Sequence, residues 1–233
     1  MQNFSSFRCY STATLFERVL DIGSGDNPHP RADVILDSNF SNEHRWGNLK
    51  REKPLVLGHV EQLPFRTKAF DVALCFHVLE HVRDPIKAAS EFERVAWRGI
   101  CEVPTLYGDV LFQPYSGHRW VFARSGDGLI YADHPGELSR FSTVETTLFL
   151  LRRNYLFQAA FLADRAAFRT RIHWNVTFPI RKVQLEDIIR AYVVAINDTN
   201  QSGAIKETIL RMLGYVLDLG AAGLRRGIRR IVR

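Results

Sequence analysis

The residues with the clearest chemical potential lie in the segment 19–28, VLDIGSGDNP. Its apolar residues are typical of a short buried strand, and its two glycines permit a turn in which the backbone approaches a ligand closely. Asp21 is an acid inside this apolar run, where an unpaired charge would be costly. We therefore predict a cofactor-binding turn formed by Asp21, Gly23, Ser24 and Gly25.

The connection after this turn is too short for the helix that usually follows a glycine turn. Only the segment 26–32, DNPHPRA, precedes the next strand-like run, and two of its residues are prolines. The turn must then hold its ligand through backbone geometry and side chains rather than a helix dipole. This favours a cofactor without a pyrophosphate.

Asp37 ends the second strand-like run, Asp33-Val34-Ile35-Leu36. An acid at this distance past the glycines is placed where ribose hydroxyls are commonly bound. The alternative is an aspartate that opens a turn with Ser38 and Asn39.

The elements needed to position these residues form an alternating pattern of strands and crossovers, which predicts an α/β sheet. Further strands are predicted at 54–60, 69–79 and 100–104, and 69–79 is apolar on both faces like a central parallel strand. Asp84-Pro85 predicts a helix start, with one apolar face (Ile86, Ala89, Phe92, Val95) and one polar face (Lys87, Glu91, Glu93, Arg94).

The second half of the chain has a different pattern of predicted strands and helices. A four-residue loop, 125–128, between apolar runs at 120–124 and 129–132 predicts a hairpin. A strand-like run follows at 173–178, and helices are predicted at 143–168, 184–197 and 203–232.

Composition narrows the class of protein. Hydrophobic residues make up 46% and charged residues 24% of the 233 residues, as in globular proteins. We find neither a signal-peptide pattern nor an apolar run long enough to span a membrane. The three cysteines show no paired spacing, which favours reduced thiols, and we expect a cytoplasmic protein.

Several segments together resemble one family. VLDIGSGDNP, Asp37, VEQLPF at 60–65, AFDVALCFHVLEHVRDP at 69–85 and FERV at 92–95 are similar to class I S-adenosylmethionine-dependent methyltransferases, especially the type 11 methyltransferase domain. The resemblance covers 19 to about 105. It implies a Rossmann-like fold, S-adenosylmethionine as cofactor and methyl transfer as activity.

The resemblance also implies residue roles. The turn at Asp21–Gly25 would bind the methionine and ribose portion of the cofactor, and Asp37 the ribose hydroxyls. His59, Val60 and Glu61 would lie beside the adenine, and His77 near the methionine end. The family usually has aspartate where His59 stands, so the imidazole or Glu61 would accept the adenine hydrogen bond instead.

A hydroxyl acceptor would need a general base, for which histidine is the usual side chain. His118, in Gly117-His118-Arg119-Trp120, is the first candidate and His134 the second. Tyr107, Tyr115, Arg119 and Trp120 would line the acceptor pocket; a structural role for His118 is the alternative. By family analogy the acceptor is a small molecule or a glycan-precursor hydroxyl.

Other interpretations concern two segments. His77-Val78-Leu79-Glu80-His81 matches the H-x-x-E-H pattern of inverted zinc peptidases, but it follows a strand pattern, so we predict no metal site. The cluster Arg225–Arg233 predicts a basic amphipathic helix. A solvated terminal helix with its apolar side packed on the domain is the favoured interpretation, and contact with an anionic membrane or, with less support, nucleic acid is the alternative. A non-catalytic methyltransferase-like module that has lost cofactor binding is a further alternative, and His59 is the residue that suggests it.

The sequence thus predicts a Rossmann-like class I methyltransferase sheet with a shortened first crossover and a helical C-terminal extension. The predicted boundaries are a methyltransferase domain at 1–180, with a cofactor-binding half at 19–105 and an acceptor-side insertion at 106–140, followed by the extension at 181–233.

Overall fold

The computed structural model describes residues 16–39, 48–106, 108–109, 117–135 and 169–198. Within them the strands are β1 (Val19–Ile22), β2 (Val34–Asp37), β3 (Leu55–Leu57), β4 (Phe70–Phe76), β5 (Ala96–Pro104), β6 (Trp120–Ser125), β7 (Gly128–Asp133), β8 (Arg169–Asn175) and β9 (Ile180–Lys182). The helices are α1 (Pro85–Val95) and α2 (Leu185–Asp198). The predicted helices at 143–168 and 203–232, and the cluster Arg225–Arg233, lie outside the described residues and stay predictions.

The larger sheet has the strand order β3-β2-β1-β4-β5-β8. The pairs β1–β2, β1–β4, β2–β3 and β4–β5 are parallel. The order reverses between β1 and β4, and in doubly wound sheets ligands bind at this switch point, beyond the carboxyl ends of the strands. The Rossmann-like α/β fold predicted from the sequence is confirmed.

The first crossover is shortened as predicted. Residues 23–33, all of them described, join β1 to its parallel neighbour β2 without a helix. Asp33 closes this connection through both backbone and side chain, because its amide donates to Val19 O (2.8 Å) and its carboxylate accepts from Val19 N (2.7 Å).

Helix α1 begins where the sequence predicts, with the Asp84 side chain accepting from Lys87 N and Pro85 in the first turn. Its buried face differs from the predicted one: Ile86 is 50% exposed, and the buried residues are Pro85, Ala88, Ala89, Phe92 and Val95. The helix ends at Val95 because Ala96 is extended (φ −130°, ψ 161°) and passes directly into β5.

The core of the larger sheet lies on its central strands. Buried apolar side chains from β1, β4 and β5 form one cluster: Val19, Val72, Leu74, Phe76 and Ile100. Cys75 and Cys101, directly opposite each other on β4 and β5, are buried free thiols, as the cysteine spacing predicts.

A smaller sheet has the order β6-β7-β9, and β6 and β7 form the predicted hairpin. Helix α2 packs against β6: the Tyr192 hydroxyl donates to Phe122 O and accepts from Leu106 N at 3.1 Å. No helix among the described residues is both long enough and apolar enough to cross a membrane.

The chain divides into two compact units. The first contains residues up to Val103 with 126–129 and 171–181, and the second contains 104–125, 130–170 and 182–233. The domain boundaries predicted from the sequence stay a prediction.

Candidate functional site: a glycine turn and two carboxylate–histidine clusters

The glycine turn follows β1 at the switch point of the sheet. Gly23 has φ +67° and Gly25 φ +55°, a left-handed conformation that favours glycine. A Cβ on Gly23 would lie 2.3 Å from Val78 Cγ2, and Gly23 N donates to Leu36 O at 2.7 Å. The turn is therefore held between β2 and the segment that follows β4.

Asp21 is fully buried and its carboxylate accepts from His29 N at 2.8 Å. This bond ties the short crossover back onto β1, so the buried acid has a structural role that the sequence did not reveal. A contact of Asp21 with a cofactor stays a prediction.

Asp37 connects the end of β2 to the glycine turn. Its carboxylate accepts from Gly25 N at 3.2 Å and from Ser38 N at 2.8 Å. The turn with Ser38 and the link to the glycines therefore coexist. A carboxylate has about four lone-pair sites, so these two bonds are compatible with accepting ribose hydroxyls as well.

Ser24 lies between the two glycines and is fully buried. Among the described residues its Oγ has no hydrogen-bond partner. A buried hydroxyl of this kind calls for a partner, and a ligand seated in the turn would supply one.

The predicted adenine side consists of His59, Val60 and Glu61 on the segment after β3. His59 is exposed, whereas Glu61 Oε1 accepts from Arg83 N (2.5 Å) and Asp84 N (2.9 Å). Glu61 therefore fixes the start of α1, which makes the exposed imidazole of His59 the better candidate for an adenine contact.

His77 directly follows β4, on the other side of the switch point from the glycine turn. Its Nδ1 lies 3.4 Å from Glu80 Oε1 and its Nε2 3.3 Å from Glu102 Oε1. Burial by itself lowers the pKa of His77, but the contacts with Glu102 and Glu80 outweigh it and raise this pKa to about 9. His77 is therefore an imidazolium at neutral pH. It ends a strand and has φ +57°, so the H-x-x-E-H pattern lacks the helix that a zinc peptidase requires.

A second carboxylate–histidine cluster lies in the second unit. His118 Nδ1 is 2.8 Å from Asp109 Oδ1, and both side chains are buried. His134 Nε2 lies 4.0 Å from Asp109 Oδ2, so the two candidate bases share one carboxylate. Burial and the neighbouring His118 lower the pKa of His134 to about 4, which makes it a weak base.

The predicted acceptor-pocket residues have mixed outcomes. Trp120 packs edge-on against Tyr131 (centroids 5.2 Å apart) and beneath Lys182 Nζ (4.6 Å). Arg119 is exposed, and its carbonyl accepts from His134 N at 2.8 Å. Tyr107 and Tyr115 lie outside the described residues. An acceptor pocket stays a prediction.

Sequence reasoning missed Glu102, Arg171 and Asp109. Arg171 binds Glu102 Oε2 through Nε (2.9 Å) and Nη2 (2.5 Å). Glu102 carried the same signal as Asp21, an acid within an apolar strand, but its partners are far away in the sequence. Asp109 had no distinguishing pattern around it.

Residues 33–99 match a family described as "Methyltransferase domain". The matched residues make up less than half of the chain, and over them the chain is similar to a methyltransferase domain. The matched segment includes β4, α1 and Leu63-Pro64-Phe65, called the LPF segment below. It begins after the glycine turn, so the shortened crossover lies almost wholly outside the match.

Solved structures show similarity to part of the chain. The YcgJ protein from Bacillus subtilis is 25% identical, with 38% of this chain and 44% of that chain covered and a TM-score of 0.31. A Thermotoga maritima protein described as an S-adenosylmethionine-dependent methyltransferase, possible histamine N-methyltransferase, is 25% identical, with 39% and 44% covered and a TM-score of 0.32. The match therefore spans less than half of either protein. No curated protein sequence matches the chain.

S-adenosylmethionine is the cofactor that the resemblance implies, and the residues of the glycine turn are compatible with it. Gly23 leaves no room for a Cβ beside Val78, and the buried Ser24 Oγ has no hydrogen-bond partner among the described residues. Asp37 offers a carboxylate beside the turn. These features suit a ligand with hydroxyl groups and no pyrophosphate.

Proposed function

We propose that this protein transfers the methyl group of S-adenosylmethionine to an acceptor, with the cofactor seated at the β1–β4 switch point. The observation that carries the proposal is the left-handed Gly23-Ser24-Gly25 turn at that point, with Asp37 bound to it. The family match to residues 33–99 supports it independently.

When bound, the cofactor supplies a methyl group already activated by its sulfonium. The chain's main task is then to bind and align, since positioning alone contributes several kcal/mol to such displacements. Asp37 would accept hydrogen bonds from the ribose hydroxyls, and the turn around Ser24 would hold the methionine portion. His59 would contact the adenine edge.

Calorimetric titration with S-adenosylmethionine and S-adenosylhomocysteine tests the cofactor part. We expect micromolar binding that Asp37→Ala abolishes, while Glu52→Ala, at an exposed acid before β3, binds as the wild type does. No heat at millimolar ligand would overturn the proposal. That result would instead favour the non-catalytic module that has lost cofactor binding.

For the acceptor, we propose a hydroxyl group of a small molecule or glycan precursor, with His118 as general base. The support is the Asp109–His118 pair: a carboxylate on Nδ1 fixes the tautomer whose Nε2 can accept a proton. His134, with its lowered pKa, is a poorer match to neutral pH.

A panel of hydroxylated sugars and phenols, with S-adenosylhomocysteine release as the readout, tests this part. His118→Asn should lower turnover by about 100-fold, the usual range for a lost general base, and leave S-adenosylhomocysteine affinity unchanged. Equal turnover in both proteins would refute a base role for His118.

A further inference from the structure

The segment after β4 is wedged against the glycine turn. Val78 Cγ2 occupies the space that a Cβ on Gly23 would need, Leu79 is fully buried, and His81 N donates to Val78 O at 3.0 Å. This segment, residues 77–81, is called the β4 turn below. The β4 turn therefore packs directly against the glycine turn, on the β4 side of the switch point.

The first residue of the β4 turn has a backbone conformation that is unfavourable for any residue with a side chain. His77 has φ +57°, in the left-handed region, where a Cβ crowds the backbone and residues other than glycine are disfavoured. Such a conformation persists only where the surroundings hold it. His77 N donates to Glu102 O at 2.9 Å, which is one such restraint.

The side chain of His77 supplies the second restraint, through charge. Glu80, within the β4 turn, and Glu102, on β5, are both buried and lie on opposite sides of its ring. Arg171 on β8 binds Glu102 and lies 5.8 Å from the Phe76 ring. Two buried carboxylates therefore face one guanidinium and one imidazole.

Further titratable groups lie near this cluster. Burial raises the pKa of the Cys101 thiol well above its ordinary value, with further contributions from Cys75 and from both carboxylates, so Cys101 is neutral. His81, on the exposed side of the β4 turn, has a ring nitrogen within 4.8 Å of a Glu80 oxygen. Glu80 and Glu102 are the carboxylates that the His77 ring faces directly, and a protonated His77 stabilises the negative charge of both.

We propose that His77 is a positioning residue: its imidazolium charge holds the β4 turn against Gly23 and thereby keeps the switch-point crevice in its cofactor-binding shape. The inference rests on the proposed function, since it concerns the same crevice. The inference also gives His77 and His118 different roles. Both ring nitrogens of His77 face carboxylates, so His77 does not act as a base, which leaves that task to His118.

Two variants separate charge from backbone conformation. His77→Asn keeps a residue type that tolerates the left-handed region and removes the charge, whereas His77→Lys keeps a cation. At pH 7, we expect His77→Asn to bind S-adenosylhomocysteine about tenfold more weakly, equivalent to about 1.4 kcal/mol. His77→Lys should recover most of that affinity.

The pH profile supplies a readout that a purely structural side chain would not move. Wild-type affinity should fall to the level of His77→Asn as the pH rises through about 9, the pKa of His77. The ammonium group of the ligand titrates in both experiments, so it cancels in the ratio of the two dissociation constants. An NMR titration of the cofactor-free protein should show the His77 ring losing its proton in the same range.

The results of these experiments distinguish failure of the inference from failure of the proposed function. A wild type that binds the cofactor, with a ratio to His77→Asn that stays near one or does not change with pH, overturns the inference alone. If His77→Asn does not fold, the pH profiles of the wild type and His77→Lys decide: coincident profiles contradict the role of charge. A wild type that binds neither ligand overturns both the inference and the proposed function.

Discussion

At the scale of single residues, three aspartates at or beside the first crossover bind backbone amides. Asp21 accepts from His29 N, Asp33 from Val19 N, and Asp37 from Gly25 N and Ser38 N. Charge-assisted bonds of this kind stabilise a connection that has no helix to satisfy its own amides. The glycine turn therefore depends on carboxylates for its shape as well as on glycine.

Gly23→Ala should be among the most damaging single changes in this region. The substitution forces a left-handed alanine, at about 1–2 kcal/mol, and places its Cβ 2.3 Å from Val78 Cγ2. We expect a loss of about 2–4 kcal/mol in the free energy of unfolding, measured by urea denaturation, because overpacking adds a further cost.

Two other glycines provide matched controls. Gly126 has φ +59° and nothing lies within 4 Å of the position that a Cβ would take, so Gly126→Ala isolates the backbone cost of about 1 kcal/mol. Gly117→Ala, also with nothing within 4 Å and no positive φ, should be nearly neutral. Equal losses at Gly23 and Gly126 would show that the contact with Val78 does not matter.

At the scale of elements, α1 is fixed to the LPF segment by its polar face. Arg94 donates to Leu63 O (2.9 Å) and Phe65 O (2.7 Å), and Glu91 accepts from Leu63 N (2.6 Å). Arg94 and Glu91 also pair with each other at 2.7 Å, and this pair lowers the pKa of Glu91. The LPF segment is therefore held by side chains of α1 as well as by packing.

Arg94→Met should destabilise the first unit by about 2 kcal/mol. The change leaves two carbonyl oxygens and one carboxylate without their cationic donor, and hydrogen bonds to charged groups contribute about 1.5–3 kcal/mol. Urea denaturation measures the loss, and Lys87→Met, at an exposed position of the same helix, is the control. A similar small effect from both variants would contradict the anchoring role.

The elements also show what the sequence could and could not predict. The existence of α1, the parallel strands and the short crossover followed from local signals: the Asp84 cap, continuous apolar runs and two prolines. The buried face of α1 could not be predicted from local signals. Ile86 fits the apolar period of the helix but is exposed. Glu91 and Arg94 bind Leu63, which lies 28 or more positions earlier in the sequence.

The same reason explains which site residues were predicted. The glycine turn and Asp37 are close in sequence, so their spacing was informative. The cluster of His77, Glu102 and Arg171 joins three strands, and Arg171 lies 69 positions from Glu102. No local pattern encodes such a pairing, since it depends on the order of strands in the sheet.

At the scale of the whole molecule, the two units carry histidines with opposite responses to pH. His77, in the first unit, has a raised pKa, so its contribution to stability is complete below its ordinary value of 6.5 and is lost as the pH rises through about 9. His134, in the second unit, has a lowered pKa, so it destabilises the fold in acid.

The His134 response can be measured by itself. The unfolded chain binds a proton at His134 below pH 6.5, whereas the folded chain does so only below about 4, so stability should fall between these values by about 2–3 kcal/mol. The difference between the wild type and His134→Asn, from urea denaturation at each pH, isolates this contribution. His173→Asn, at an exposed histidine, should leave the profile unchanged, and parallel profiles for wild type and His134→Asn would contradict the burial effect.

The central claim, that the β1–β4 switch point binds S-adenosylmethionine, is tested most directly by a crystal structure with S-adenosylhomocysteine. We predict electron density for the ligand over the Gly23-Ser24-Gly25 turn, with the ribose hydroxyls within hydrogen-bond distance of the Asp37 carboxylate. Ligand density away from the carboxyl ends of β1 and β4, or none at saturating ligand, would contradict that claim.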